Sequence, residues 1–437
     1  MLFLFLYNLL MGVGLIVFAP FLFVKVILTP KYRSRFGRRL GFGLGEAAAG
    51  LGGGPRIWVH GLSVGEVASA KSLVRELRRA FPRAAIVFSA TTASGERFAR
   101  ASLAREVDLF FTFPLDLYWS VQRVVDQVAP DLFVLVETDF WPNFLARLKK
   151  NGVPAVLVNG RISDRSLARY QRLRWFFLPL FRSFSRLAMQ TRQDAERLRG
   201  LGVSRERLAV LGNLKYDASL PEAGTEKILP GRASLHIPES SLVMVAGSTH
   251  PGEEAAILTA FAKVRTTLPP LFLVLAPRDV ARGGELVELV GRHGLKAFLR
   301  SVPSSQGGEV LVLDTLGELA AVYSLCDLAF IGGSLVSERG HNPLEAAVCG
   351  KPLLYGPSME DFAEISRDLL AAGAAREVRD AGELAAAFSL FFRDGDARRK
   401  AGEAARALVA AQQGITERHI ALLREVLQKE GVDVQGA

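Results

Sequence analysis

Cysteine is almost missing from this chain: Cys326 and Cys349 are the two in 437 residues. They make neither a disulfide framework nor a zinc spacing, and point to a reducing compartment. No repeat recurs at a fixed period, which excludes a solenoid. Acid is absent from residues 1–40, where Lys25, Lys31, Arg33, Arg35, Arg38 and Arg39 carry six of the ten net positive charges. The remainder is nearly balanced, so the basic total is no nucleic-acid footprint and no nucleic-acid partner is expected. What is present is apolar: 49% hydrophobic against 22% charged residues, the composition of a folded chain. Its length favours two or three domains.

From Leu2 to Val24 the one strongly polar side chain is Asn8. As a helix this run reaches about 34 Å, enough to cross a hydrocarbon core. Its basic flank follows the apolar run, the reverse of a cleaved signal peptide. The expectation is an anchor over 1–30, the N-terminus outside and the body on the cytoplasmic side, with a basic collar and Gly/Ala linker over 31–55 facing anionic lipid. A hairpin or interfacial helix is the alternative, because Pro20 and Lys25 interrupt the run. The G-x-G pieces of the linker precede the first strand and so make no dinucleotide fingerprint.

Beyond Pro55, short apolar runs alternate with helical patterns. Strands are expected at 56–60, 85–89, 107–112, 131–137, 155–159, 187–190 and 208–211, then at 242–247, 271–276, 310–314, 328–331 and 352–355. Most lack in-out alternation, as parallel strands buried on both faces do. The fold class is α/β: two doubly wound, Rossmann-like domains facing a cleft. The expected divisions are 56–217, a linker at 218–240, a second domain at 241–396, and a helical 397–437 packing back across both.

Four strand ends run into helix-start signatures: Ser63 to Glu66, Ser248-Thr249-His250-Pro251 before Glu253 and Glu254, Thr315 to Glu318, and Asn342 to Glu345. Capping boxes explain them structurally. Yet the carboxyl edge of an open sheet is where ligands bind, and helix N-termini there suit phosphate. Pro277-Arg278 places a guanidinium at a strand end, and Gly332-Gly333-Ser334 permits close backbone approach or a tight turn. Glu137 opens a helix start, and Lys215 lies where the two domains meet. His60, His250 and His341 show no metal spacing, so no metal is expected. Asp394-Gly395-Asp396 reads as a turn.

In order along the chain stand HGLSVGE (60–66), ETDFWPN (137–143), NGRIS (159–163), GNLKYD (212–217), AGSTHPGEE (246–254), APR (276–278), DTLGEL (314–319), GGSLV (332–336), GHNPLEAAVCGKPLLYGP (340–357) and MEDF (359–362). Over nearly its full length the chain thereby resembles the 3-deoxy-D-manno-octulosonic acid (Kdo) transferases of lipopolysaccharide assembly. The resemblance implies a GT-B fold and a metal-independent, inverting glycosyltransferase without a cofactor. It would move Kdo from CMP-Kdo to the lipid A precursor (lipid IVA) at the cytoplasmic face of the inner membrane. It also implies Glu66 as catalytic base, with Glu137 and Lys215 in support. Cytidylate contacts fall on Pro277 and Arg278, on Leu316, Gly317 and Glu318, and on Asn342, Pro343, Leu344 and Glu345. Ser248, Thr249, Gly333 and Ser334 are candidates for a donor loop.

Three positions depart from the family pattern. Asp279 stands where a histidine is usual, Arg339 replaces a glycine, and Asp361 replaces an asparagine. For the base role Glu66 is expected to leave its capping box open in the active enzyme. The stretch 172–186 carries Trp175, Phe176, Phe177, Phe181 and Phe184, which is read as a headgroup-zone segment. The rival readings are an epimerase-like GT-B enzyme on a soluble substrate and a non-catalytic, membrane-tethered nucleotide-binding module.

Overall fold

The computed structural model describes residues 2–219, 231–268, 270–302 and 307–432, and side chains within the first two helices at 3–19, 21, 29 and 35–39. Residues 220–230 of the expected linker at 218–240 thus lie outside the described residues. Two compact units emerge. One comprises Met1–Ala218 with Gly414–Ala437, the other Ser219–Gln413.

The first unit is built on β1 (Arg56–Gly61), β2 (Ala85–Ala90), β3 (Leu109–Thr112), β4 (Leu132–Val136), β5 (Ala155–Gly160), β6 (Arg186–Met189) and β7 (Leu208–Val210). The order is β3-β2-β1-β4-β5-β6-β7, and every pairing is parallel. Connections run one way from β1 and the other way from β4, so the topological switch point lies between those two strands. Trp58 centres the core. Its ring meets Phe111, Phe113, Phe133 and Phe144 at 5.0 to 6.0 Å, and its Nε1 donates to Ser89 Oγ at 2.7 Å.

A second seven-stranded parallel sheet organises the other unit. It contains β8 (Leu242–Thr249), β9 (Leu271–Pro277), β10 (Ala297–Leu299), β11 (Val310–Val312), β12 (Leu328–Ile331), β13 (Leu353–Tyr355) and β14 (Ala375–Glu377). Its order is β10-β11-β9-β8-β12-β13-β14, with the switch point between β8 and β12. The two edge strands, β10 and β14, have no counterpart among the expected strands. Neither has a run of buried apolar residues: β10 buries only Phe298 and β14, Ala-Arg-Glu, buries none.

Several local expectations change. Residues 41–55 are not a bare linker, because Gly45–Ala49 is a helical turn and Leu44 and Ala48 are buried. The terminal helical stretch is two helices, Gly395–Ala411 in the second unit and Ile415–Lys429 in the first. Gly414, at φ +75°, breaks them apart. Asp394 is the N-cap of the earlier one, accepting from Ala397 N at 2.9 Å. Phe181 and Phe184 are fully buried, and Phe176 and Phe177 pack against the same core. Of the five aromatics read as a headgroup segment, Trp175 is the one exposed, at 57%. A helical face that fills a core looks, by composition, like one that meets lipid.

Helix Leu2–Leu28 is long in backbone terms. Among the described residues no helix is long and apolar enough to cross a membrane.

Candidate active site

In the first unit the site residues gather at the switch point. Glu66 follows β1 on the first turn of helix Val64–Ala80, and Glu137 follows β4. The Glu66 carboxylate closes its capping box, accepting from Ser63 N at 2.7 Å and from Ser63 Oγ. The box is therefore shut, not open, in this state. The neighbouring Asp139, two residues beyond Glu137, is pushed up from the ordinary carboxylate range by burial and by the Glu66 carboxylate, against one hydrogen bond from Phe140 N. That pair of acids was not legible in the sequence, because 73 positions separate them.

Glu137 has a left-handed backbone, φ +63°, and so has Asn159 at the end of the adjacent β5, φ +56°. Non-glycine residues held this way cost on the order of 1–3 kcal/mol each and persist where surrounding contacts fix them. Here Asn159 is the hub. Its Nδ2 donates to Glu137 Oε1 at 3.4 Å, its Oδ1 accepts from Leu214 N at 2.9 Å, and its carbonyl accepts from Gln190 Nε2 at 3.1 Å. Asn213 Oδ1 then accepts from Lys215 N at 3.1 Å. One network thus joins the Glu137 carboxylate to the backbone that starts the turn Lys215–Ala218. That turn packs on helix Val64–Ala80, which carries Glu66.

His60, at the end of β1, is fully buried against Phe113 and Trp141. Burial, with Arg39 adding and Ser89 opposing, brings it down to about 3. It is neutral at physiological pH and shapes the floor of this edge.

The second unit assembles its candidates at its own switch point. Glu253 is fully buried after β8, and its two oxygens accept four backbone N–H groups: His250 at 2.9 Å, Gly333 at 2.7 Å, Ser334 at 2.9 Å and Leu335 at 2.9 Å. This carboxylate staples the loop after β12 to the loop after β8. Ser334 Oγ is engaged as well, donating to Ile331 O and accepting from Gly356 N at 2.8 Å. Gly332 sits so close that a Cβ there would lie 2.3 Å from Ser248 O. Of the donor-loop candidates, Gly333 and Ser334 are therefore bound within the loop itself. Thr249 Oγ1 is buried without a partner among the described residues.

Pro277 ends β9, and Arg278, exposed, follows with its N–H on Thr249 O at 2.9 Å. Across the loop His250 and His341 lie nearly coplanar, Nε2 to Nε2 at 2.8 Å. Burial, then the charges of Arg278 and His250, lowers His341 to about 4. This pair is 91 positions apart in sequence, so no spacing rule could have found it. Leu316 is 81% exposed beside Gly317 at φ +85°. Glu318 takes two hydrogen bonds from Arg300 at 3.0 and 3.2 Å and one from Thr315 Oγ1; against the cost of burial these hold its carboxyl below the usual range. It caps Leu319–Val322 itself, so Thr315 opens no helix. Nor does Asn342 cap one in the expected way. Helix Leu344–Val348 starts after Pro343, and Asn342 Oδ1 accepts from Leu344 N at 3.1 Å while its Nδ2 donates to Ser219 Oγ at 3.1 Å. Glu345 lies in the first turn.

The departures from the family pattern also find places. Arg339 and Asp361 pair with each other at 2.8 Å, so the added positive charge is compensated. Asp279 caps a short turn, accepting from Ala281 N at 3.1 Å. Among the described residues no cluster of three or more His, Cys, Asp or Glu could hold a metal ion.

The family described as 3-Deoxy-D-manno-octulosonic-acid transferase (kdotransferase) matches residues 34–218. A relative from Haemophilus influenzae named 3-deoxy-D-manno-octulosonic acid transferase is 31% identical, covering 92% of this chain and 94% of its own. One of the same name from Bordetella pertussis is 34% identical, over 85% and 87%. The solved structure of a UDP-N-acetylglucosamine 2-epimerase from Listeria monocytogenes, called putative in its own description, superposes with a TM-score of 0.56, covering 86% of this chain and 97% of that one. At 13% identity it shows the two-sheet fold alone. With the motif residues standing at the carboxyl edges of both sheets, and these two relatives matching over 92% and 85% of this chain, the chain belongs to the 3-deoxy-D-manno-octulosonic acid transferases, a family of glycosyltransferases.

Proposed function

We propose that the protein transfers Kdo from CMP-Kdo to a hydroxyl of the lipid A precursor at the cytoplasmic face of the inner membrane, with Glu66 as general base and without a metal. The observation that carries this reading is the pair Glu66 and Glu137, set beside the switch point of the first sheet. In the step, the acceptor oxygen bonds to the anomeric carbon as the bond from that carbon to the cytidylate oxygen breaks. The hydroxyl proton passes to Glu66, and CMP leaves with the electron pair. Glu66 must first exchange its hydrogen bonds from Ser63 for the acceptor hydroxyl. A carboxylate placed so contributes about 10²–10⁴ in rate.

Charge grows on the departing phosphate, and the exposed Arg278 guanidinium meets it. Pro277, Leu316, Gly317, Glu318 and residues Asn342 to Glu345 form the cytidylate side. The hydrogen-bonded His250–His341 pair lines that side. Lys215, positioned by Asn213, supports the ulosonic carboxylate or the leaving group. The test is CMP release from CMP-Kdo with and without lipid A precursor. Release that requires the lipid, with a Kdo mass added to it, is expected; hydrolysis unaffected by lipid overturns the reading.

A further inference from the structure

Helix Asp164–Arg172 follows β5 on the edge of the first sheet that carries Glu137, and residues of the motif 137–143 fasten it there. Thr138 Oγ1 donates to Arg161 O at 3.0 Å, joining the loops after β4 and β5. Tyr170 is buried against Phe140, edge to face, with ring centroids 5.9 Å apart. Burial raises its hydroxyl, hydrogen bonds with Arg169 and Ser166 oppose the rise, and the Asp139 carboxylate adds to it. Asp139 in turn feels the charge of Glu66. Tyr170 therefore links the acids of the candidate site to the outer face of its own helix.

That outer face is a ladder of arginines. Arg165, Arg169 and Arg172 recur at intervals of four and three, on one stripe of the helix, and all three are exposed. The one acid of the helix, Asp164, pairs with Arg197. Among the described residues no carboxylate pairs with the three arginines. Arg169 is held in place as well, its guanidinium over the rings of Tyr170 and Phe177, 5.4 and 5.9 Å from their centroids. Three uncompensated guanidinium groups within about 10 Å of helix, one of them fixed by stacking, suit phosphate oxygens, which they meet bidentately.

We propose that Arg165, Arg169 and Arg172 bind a phosphomonoester group of the acceptor lipid, and so select phosphorylated over unphosphorylated acceptors. The proposal rests on the transferase reading above and deepens it. The acceptor brings its hydroxyl to Glu66, so a group that orients it belongs beside the carboxyl edge of the first sheet, where the ladder is fastened. Charge decides between the phosphates available. A monoester is close to a dianion at neutral pH, whereas the diester of a bilayer headgroup carries one charge, and three cations favour the former. The arginines touch no reacting atom. They are positioning residues, and their effect falls on KM for the lipid instead of on kcat.

The test uses full-length protein with detergent-dispersed lipid A precursor and with the same lipid after phosphatase treatment. In the parent, kcat/KM for the phosphorylated lipid should exceed that for the dephosphorylated one by about tenfold or more. Replacing all three, Arg165→Gln, Arg169→Gln and Arg172→Gln, should abolish that preference through KM for the lipid, while KM for CMP-Kdo and the denaturant midpoint hold. The corresponding triple lysine variant, which keeps the charge, should recover part of it. Equal KM for both lipids in the parent, or a preference that survives in the glutamine variant, overturns the ladder. A KM rise of the same size on both lipids, with weaker binding to phosphatidylglycerol vesicles, overturns it too and makes the bilayer the occupant. Equilibrium binding of each lipid without donor separates the two readings. If binding discriminates by phosphate but CMP release never depends on the lipid, only the transferase reading falls; if lipid-dependent release persists without discrimination, only the ladder falls.

Discussion

The two units share an architecture and use it in opposite ways. Both are seven-stranded parallel sheets with a switch point near the middle. At the first, Glu66 accepts from Ser63 N and Ser63 Oγ, Glu137 from Asn159 Nδ2, and Asp139 from Phe140 N. At the second, the matching acid, Glu253, turns inward and is consumed by four backbone N–H groups. What that edge presents is Arg278 and the paired histidines. On the proposed function, one edge takes a proton from the acceptor and the other receives the anion. Side-chain chemistry at equivalent strand ends, and not the fold, divides the labour.

The comparison breaks first at Glu253. Glu253→Ala orphans four N–H groups, and about 4 kcal/mol of stability should be lost, read from the denaturant midpoint. Glu253→Gln should retain part of it. Gly332→Ala follows, at about 3 kcal/mol, since its methyl meets the Ser248 carbonyl at 2.3 Å. The expected signature is a lowered midpoint with weakened CMP binding. A variant as stable as the parent contradicts the stapled loop. In the first unit Glu137→Gly should do the reverse, relieving a left-handed residue and gaining up to ~1 kcal/mol while slowing transfer. Loss of stability there would mean the Asn159 network outweighs the strain.

The pH dependence is graded. His60 at about 3 and His341 at about 4 both lie below the ordinary histidine value of 6.5. The unfolded chain therefore binds protons first, and stability falls as pH drops below about 6.5, by at most ~1.4 kcal/mol per pH unit for each group. Asp116 acts with opposite sign. Burial raises it to about 6, against the N–H groups of Asn143 and Phe144 and the Tyr7 hydroxyl. Its contribution is full below 3.8 and fades as pH rises through about 6. In the first unit it therefore offsets one of two depressed histidines between pH 4 and 6, His60 and His419, the latter lowered to about 4 chiefly by burial. His341→Gln should flatten the acid slope of the second unit; an unchanged midpoint between pH 7 and 5 would contradict this.

Much of the fold was legible because parallel strands buried on both faces write continuous apolar runs, and twelve of the fourteen strands lie where such runs stand. The missing two are edge strands without a run of buried apolar residues. Long-range pairings left no local trace, as with Glu66 beside Asp139 and His250 against His341. Arg339 and Asp361 show the same limit. Read singly, each is a departure from the family pattern; in the structure they neutralise one another. The aromatic stretch 172–186 misled for a different reason. Core and lipid ask for the same side chains, and only burial tells them apart.

One side-by-side measurement bears most directly on the division of labour: turnover, CMP affinity and denaturant midpoint for Glu66→Gln and Glu253→Gln. Glutamine at 66 still fits the capping box. The account predicts that Glu66→Gln loses about 10²-fold or more in kcat with midpoint and CMP affinity unchanged, while Glu253→Gln loses stability and CMP affinity. Near-normal kcat in Glu66→Gln would contradict it.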